Sequence, residues 1–358
     1  MTSGGRLQKL ARTRQIYTGE PFHVAKEMVR DGNNRSPLST APMRQAYLEA
    51  EVFAKLCSGG EWWPHPFGIS SIQARVQSAT AHLDSHTTFH DGTPYSRSAH
   101  ALEALLPEAE PGIQVNGVVG LRVVGMDGRD LHLTLTDGDC HLILRGTAGV
   151  DWKGEIDERW NHLRKAGFPP LWREQQLTDH EVDHIRDYPR VWSANRSLDW
   201  LGSALLRRLA MVHTSSTAHS VRSWVHDDEW VLQLDTVRGV ELDHDAFLSR
   251  LLDPIWGIPL RIRQQRCSCD PRHRLGHDNY LLQCTYHLEH TDDTYRGGLQ
   301  LRFRHGLGAY TRNARATLAS LGAAPKWLDR VLPVSSPDVM LGASDMTSGR
   351  FPGGENNS

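Results

Sequence analysis

Between Leu131 and Thr136 apolar residues recur at every second position, a period that no helix can use. Leu131, Leu133 and Leu135 alternate with His132, Thr134 and Thr136. Successive strand residues point to opposite faces, so this run is predicted to be one strand of a half-buried antiparallel sheet. Its neighbours, Leu121–Val124 and Cys140–Arg145, are set off by "MDGR" and "DGD", both hairpin-type turns. The pattern returns later. "SVRSWVH" and "EWVLQLD" flank Asp227-Asp228, and strands are expected at 258–264, 280–290 and 298–304. In the last of these Leu299, Leu301 and Phe303 alternate with Gln300, Arg302 and Arg304. Hairpins grouped beside scattered helices predict an α+β fold of mainly antiparallel sheets with packed helices, not a doubly wound parallel one.

The helices follow from 3.6-residue periodicity and end signals. Residues 6–17 and 22–30 read as two short helices joined by "TGEP", with Gly19 as a left-handed cap and Pro21 in the next first turn. A helix over 40–57 is expected to be capped by Thr40, with Met43, Ala46, Tyr47, Ala50, Phe53, Ala54 and Cys57 on its apolar stripe. Further helices are predicted at 97–106, 155–166, 179–187 and 309–322. "LDWLGSALLRRLAMVH" over 198–213 reads as one apolar helix with Arg207-Arg208 on its outer side. Asp243 caps another helix whose Phe247, Leu248, Leu251 and Leu252 face inward. The expected organisation is a basic helical arm (1–35), a first α+β half (36–166), a second half with a Cys/His loop (167–334) and a disordered tail (335–358). "GFPPLW" at 167–172 is the expected seam.

Composition narrows the partners. With 39% apolar and 23% charged residues, and no apolar run near the ~20 residues of a membrane span, no membrane role is expected. The start "MTSGGRLQKL" lacks the apolar core of an export signal, and five cysteines are sparse and odd in number. Both point to a reducing cytoplasm. The net charge of −2 conceals basic ends. Residues 6–35 carry seven basic against three acidic residues, and 260–330 carry twelve against six. Such ends suit an anionic partner, nucleic acid or an acidic protein surface, with Arg12, Arg14, Arg302 and Arg304 as candidate contacts.

Chemistry concentrates in "RCSCDPRHRLGHDNYLLQCTYHLEH" (266–290), which holds three of the five cysteines. Cys267, Cys269, His273 and His277 fit C-x-C-x3-H-x3-H, a thiolate and imidazole set that closes a tetrahedron around zinc. Cys284 is a substitute ligand, although it runs in phase with the apolar Tyr286 and Leu288. The plainer reading is a solvated hairpin loop. His226, Asp227 and Asp228 form an acidic cluster able to hold a divalent metal in a hydrolase or nuclease, at a place where hairpin turns are commonly acidic. His90 and Asp91 lie near Ser96 and Ser98 without a motif that makes them a triad. Phosphate-loop, nucleophile-elbow, H-E-x-x-H and dinucleotide fingerprints are absent from the sequence.

The segments "LARTRQIYTGEPF", "LGSALLRRLAMVHTSS" and "DPIWGIPLRI" resemble stretches of uncharacterised proteins from high-GC actinobacteria, over about half of the chain. The resemblance implies a bacterial cytoplasmic setting and brings no catalytic residue with it. The functional expectation is a non-enzymatic binding protein stapled by zinc. The alternatives are the metal-dependent hydrolase and a pure interaction module docking through its N-terminal helices.

Overall fold

The computed structural model describes residues 3–31, 38, 40–57, 64–88, 94–109, 115–136, 138–187, 198–237, 240, 243–267, 282–305 and 314–334. The fold is α+β with mostly antiparallel sheets, as the alternating runs require. The first sheet contains β1 (Ile69–Ala74), β2 (Ser78–Leu83), β7 (Leu121–Asp127), β8 (Asp130–Leu135) and β9 (His141–Arg145), in the order β1-β2-β9-β8-β7. The second contains β10 (Ser220–His226), β11 (Glu229–Thr236), β12 (Leu260–Arg266), β13 (Leu282–His290) and β14 (Gly298–His305), in the order β10-β11-β14-β13-β12. Two short hairpins, β3 (His86–Thr88) with β4 (Pro94–Ser96) and β5 (Glu108–Ala109) with β6 (Val115–Asn116), complete the strands.

The two large sheets share one plan. Each begins with a hairpin, passes through a helix and ends in a three-stranded meander whose last strand returns beside the hairpin. That return makes one parallel pair in each sheet, β2 with β9 and β11 with β14, while the other pairs are antiparallel. The intervening helices are α4 (Arg97–Leu105) and, in the second sheet, α9 (His244–Leu251). The hairpin β1–β2 had no sequence expectation, because the alternation in "SATAHL" rests on alanine and is broken in "ISSIQA".

Between the sheets lies a helix pair, α3 (Met43–Leu56) against α7 (Asp199–Arg207). Gly202 makes the approach possible, since a Cβ there would meet Trp230 at 2.5 Å and Ala50 at 2.7 Å. Phe53 of α3 stacks on Trp230 of β11, with ring centroids 5.4 Å apart. One continuous apolar cluster runs from Ile72 and Leu133 of the first sheet, through Leu48 and Leu206 of the helix pair, to Leu232 and Leu301 of the second.

Several expectations are corrected. The helix predicted at 198–213 is broken into α7 and α8 (Ala210–Ser215), and Arg207 and Arg208 are buried, not outward. Arg207 donates to both oxygens of Glu49 at 2.7 Å, and Arg208 to the Trp256 carbonyl at 2.7 Å. Pro42, not Thr40, precedes α3, and it supplies no side-chain cap. The described part of the helix expected at 309–322 is α10 (Ala314–Ser320), followed by α11 (Pro325–Val331). Apart from these corrections, Leu171 N–H at the expected seam donates to the Pro107 carbonyl at 2.9 Å.

Elsewhere the reading holds. Gly19 has φ 72°, and Asp243 accepts from Ala246 N–H at 2.8 Å as the cap of α9. Helices α5 (Trp152–Ala166) and α6 (Asp179–Asp187) stand near their expected places. The N-terminal helices α1 (Ser3–Thr18) and α2 (Phe22–Asp31) lie on the chain's own body. Tyr17 stacks on Trp256 and donates to the Arg250 carbonyl at 3.0 Å, while Thr214 donates to the Ile16 carbonyl. The tail 335–358 lies outside the described residues.

The Glu49–Arg207 pair generates a stability prediction. Removing one partner leaves the other charge buried and uncompensated, so Glu49→Gln should lower unfolding stability by about 3–5 kcal/mol. Glu49→Met combined with Arg207→Met should lose less than Glu49→Gln alone. Urea unfolding of the two variants against the parent measures both.

Candidate metal centre

Three ligand-type side chains converge on the core face of the second sheet. Cys284, on β13, is fully buried and lies opposite Phe303 of β14. Cys267 follows the last residue of β12, one step beyond the Arg266–Thr285 pair, so the register brings it beside Cys284. Their sulfurs are 3.4 Å apart. His244, the first residue of α9, places its Nδ1 3.9 Å from the Cys267 sulfur. The ligand atoms of these three residues all fall within 4.8 Å of one another, and among the described residues they form the one such group.

The histidine is held for this position. Its ring stacks on Phe303 with centroids 4.5 Å apart, and the Tyr286 hydroxyl lies 3.3 Å from its Nδ1. The stacking orients the ring, and because the hydroxyl lies at the same nitrogen that faces Cys267, a metal bound through Nδ1 would take the place of that contact. The Asp243 cap sets where α9 begins, and so where His244 sits. Two sulfurs and an imidazole nitrogen are a donor set suited to zinc.

Of the residues expected from the sequence, Cys267 and Cys284 are brought together, while Cys269, His273 and His277 lie outside the described residues. His244 was missed. It stands 23 positions before Cys267, on another element, and only the packing of α9 against β13 and β14 joins them. The thiols of Cys57 and Cys140 are buried away from this group, and burial raises the Cys57 thiol well above its ordinary pKa.

The acidic cluster has a different setting. His226 and Glu229 close the β10–β11 hairpin, and Asp227 takes the left-handed φ of 53° between them. The side chains of His226 and Asp227 are 69% and 84% exposed, so the tip is a solvated turn. Ser96 lies opposite His86 in the β3–β4 register, and its hydroxyl is 2.7 Å from that of Ser98. Both donate to the same oxygen of Glu155, at 3.0 and 2.9 Å, at the edge of a cleft of about 290 Å³. His90 and Asp91 lie outside the described residues.

The four candidate arginines also separate. Arg14 is buried, and its guanidinium meets Glu20 at 2.6 and 2.9 Å. Arg12 is exposed. Arg302 belongs to a row across the polar face of the second sheet, Arg222–Gln233–Arg302–Thr285–Arg266, one residue from each strand. Arg304 lies in the next row beside Asp235. The Arg302 guanidinium stands 5.4 Å over the Trp224 ring. No described helix is long and apolar enough to cross a membrane. Comparison with family models, curated proteins and solved structures gives no match.

A histidine pocket joins the halves. His65 meets Asp84 at 2.8 Å and packs against His213, whose ring stacks on Trp327 of α11. Burial first, then the neighbouring His65 and Arg330, pushes His213 down to about 3, and burial takes His219 down to about 4. Both are neutral at pH 7, and the Nδ1 atom of each is buried without a hydrogen-bond partner. A folded pKa below the unfolded value of ~6.5 means that the unfolded chain takes the proton first. Their contribution is therefore complete above pH 6.5 and is lost as pH falls from there toward 3. His213→Gln should flatten that part of the melting-temperature profile relative to the parent, as thermal unfolding between pH 7 and 4.5 would show.

Proposed function

We propose that the protein is a non-enzymatic, zinc-stapled α+β binding protein of the cytoplasm whose basic sheet face meets nucleic acid. The observation that carries the metal is the His244–Cys267–Cys284 group, two sulfurs and a packed imidazole within 4.8 Å. Cys269, two residues beyond Cys267 in the sequence and a thiolate ligand by type, is the proposed fourth ligand. Four protein ligands leave no position open for water, which makes a structural site and not a catalytic one.

The staple and the proposed binding face are neighbours. Cys267 directly follows Arg266, the edge member of the five-strand row. A metal bound to Cys267 and Cys284 would pin the end of β12 to β13 and hold Arg266 in line with Arg302 and Arg222. Arginine forks suit phosphate oxygens, and the adjacent Trp224 offers a ring on which a base can stack.

Two measurements test the proposal. Purified protein should carry about one equivalent of zinc per chain, and chelation should lower its melting temperature. Cys284→Ser should lower zinc content and melting temperature together, whereas Cys57→Ser should leave the metal in place. Binding to single-stranded DNA or RNA should weaken as salt rises, and Arg222→Ala or Arg302→Ala should each reduce the salt slope by about 1. Arg12→Ala and Arg304→Ala report whether the contact extends beyond the row. No shift with any nucleic acid at low salt would direct the proposal to an acidic protein partner.

A further inference from the structure

We infer that Cys267 and Cys284 are a peroxide-responsive pair that closes a reversible disulfide between β12 and β13. The inference concerns two of the proposed metal ligands but does not depend on metal being bound.

Register supplies the geometry. Arg266 and Thr285 are the last cross-strand partners of the β12–β13 ladder, and continuing that register by one residue past the end of β12 sets Cys267 against Cys284. Opposed residues of antiparallel strands have Cα atoms about 4.5–5.5 Å apart, inside the range of about 4.4–6.8 Å that a disulfide spans. The two sulfurs already approach to 3.4 Å, and a bond of about 2.0 Å needs a short side-chain movement and no change of register. Both side chains point to the same face of the sheet, as the placement of Cys284 opposite Phe303 and beside His244 shows.

Burial divides the roles. Cys267 is partly exposed and Cys284 is fully enclosed, so Cys267 meets a small oxidant from solvent and Cys284 acts from within. Hydrogen peroxide transfers one oxygen to the Cys267 sulfur, breaking its O–O bond, and leaves as water, giving a sulfenic acid. The Cys284 sulfur then attacks the Cys267 sulfur. The S–O bond breaks, a second water leaves, and the S–S bond forms. In sum two thiols and one peroxide give a disulfide and two waters, with each sulfur oxidised by one electron and the peroxide reduced by two. The other described cysteines cannot substitute, since Cys57 and Cys140 are buried on other elements.

The test uses the full chain, treated with a small excess of hydrogen peroxide in the presence of a chelator, then alkylated, digested and mapped by mass spectrometry. The expected result is a peptide pair joined through Cys267 and Cys284, lighter by two hydrogens than the separate thiol peptides and separated again by dithiothreitol. Cys284→Ser should leave a sulfenic acid on Cys267 that a 1,3-diketone traps, and Cys57→Ser should cross-link as the parent does. A cross-link through Cys269 in place of either cysteine, or oxidation of Cys267 to the sulfinic acid without any cross-link, would overturn the inference. Zinc content is read on untreated protein, so a metal-free chain that still cross-links contradicts the staple alone, and a zinc-loaded chain that never cross-links contradicts this pair alone.

Discussion

The carboxylate of Glu49 is the point on which the two halves are joined. It lies fully buried on α3 and accepts four hydrogen bonds, from Gln45 on its own helix, from Ser203, and from two nitrogens of Arg207 on α7. The same Arg207 donates to the Arg75 carbonyl beside the β1–β2 turn, and Gln45 exchanges hydrogen bonds with the backbone of His141 on β9. One ion pair therefore fixes the helix pair to each other and to the first sheet. Two buried charges are costly unless their donors and acceptors are engaged, and both oxygens of Glu49 are. Gly202 and Trp230 then set how closely the second sheet can approach.

From that arrangement the second sheet receives two unlike faces. One face carries Leu232, Leu301, Phe303 and the His/Cys/Cys group, and the other carries the arginine row and Trp224, with Val231, Gln233 and Asp235 of β11 buried among them. The edge strand β12 serves both, because Arg266 and Cys267 are consecutive and point to opposite faces. A bond at Cys267, to metal or to sulfur, is thus a constraint on where Arg266 sits. Edge strands have a free hydrogen-bonding side, and fastening their ends is one way to keep their register.

Much of this was legible in the sequence, wherever burial writes a clean period. The alternations at 131–135 and 299–304 located strands, and the Asp243 cap located the start of α9. What escaped follows from the same physics. The strand β2 alternates mostly between serine or threonine and alanine, so the contrast between its faces is small although it buries every second residue, and in β1 the alternation is broken. Arg207 and Arg208 read as a polar helix surface because the sequence does not show that Glu49, some 160 residues earlier, lies opposite. Cys284 was legible as both core and candidate ligand, and it lies in the apolar cluster with its sulfur beside Cys267 and His244, whereas His244 carried no spacing signal at all. Residue type announces a ligand only when its partners are near in sequence. Here the sheet register and a helix start assemble the group from three separate elements.

The central claim is that zinc is held through the sulfurs of Cys267 and Cys284 and the imidazole of His244. X-ray absorption at the zinc edge of the purified protein tests it most directly. The expected spectrum has at least two sulfur neighbours at about 2.3 Å and nitrogen at about 2.0 Å. It should lose one sulfur in Cys284→Ser and nitrogen in His244→Ala. A shell of oxygen and nitrogen only, or a sulfur count that Cys284→Ser leaves unchanged, would contradict it.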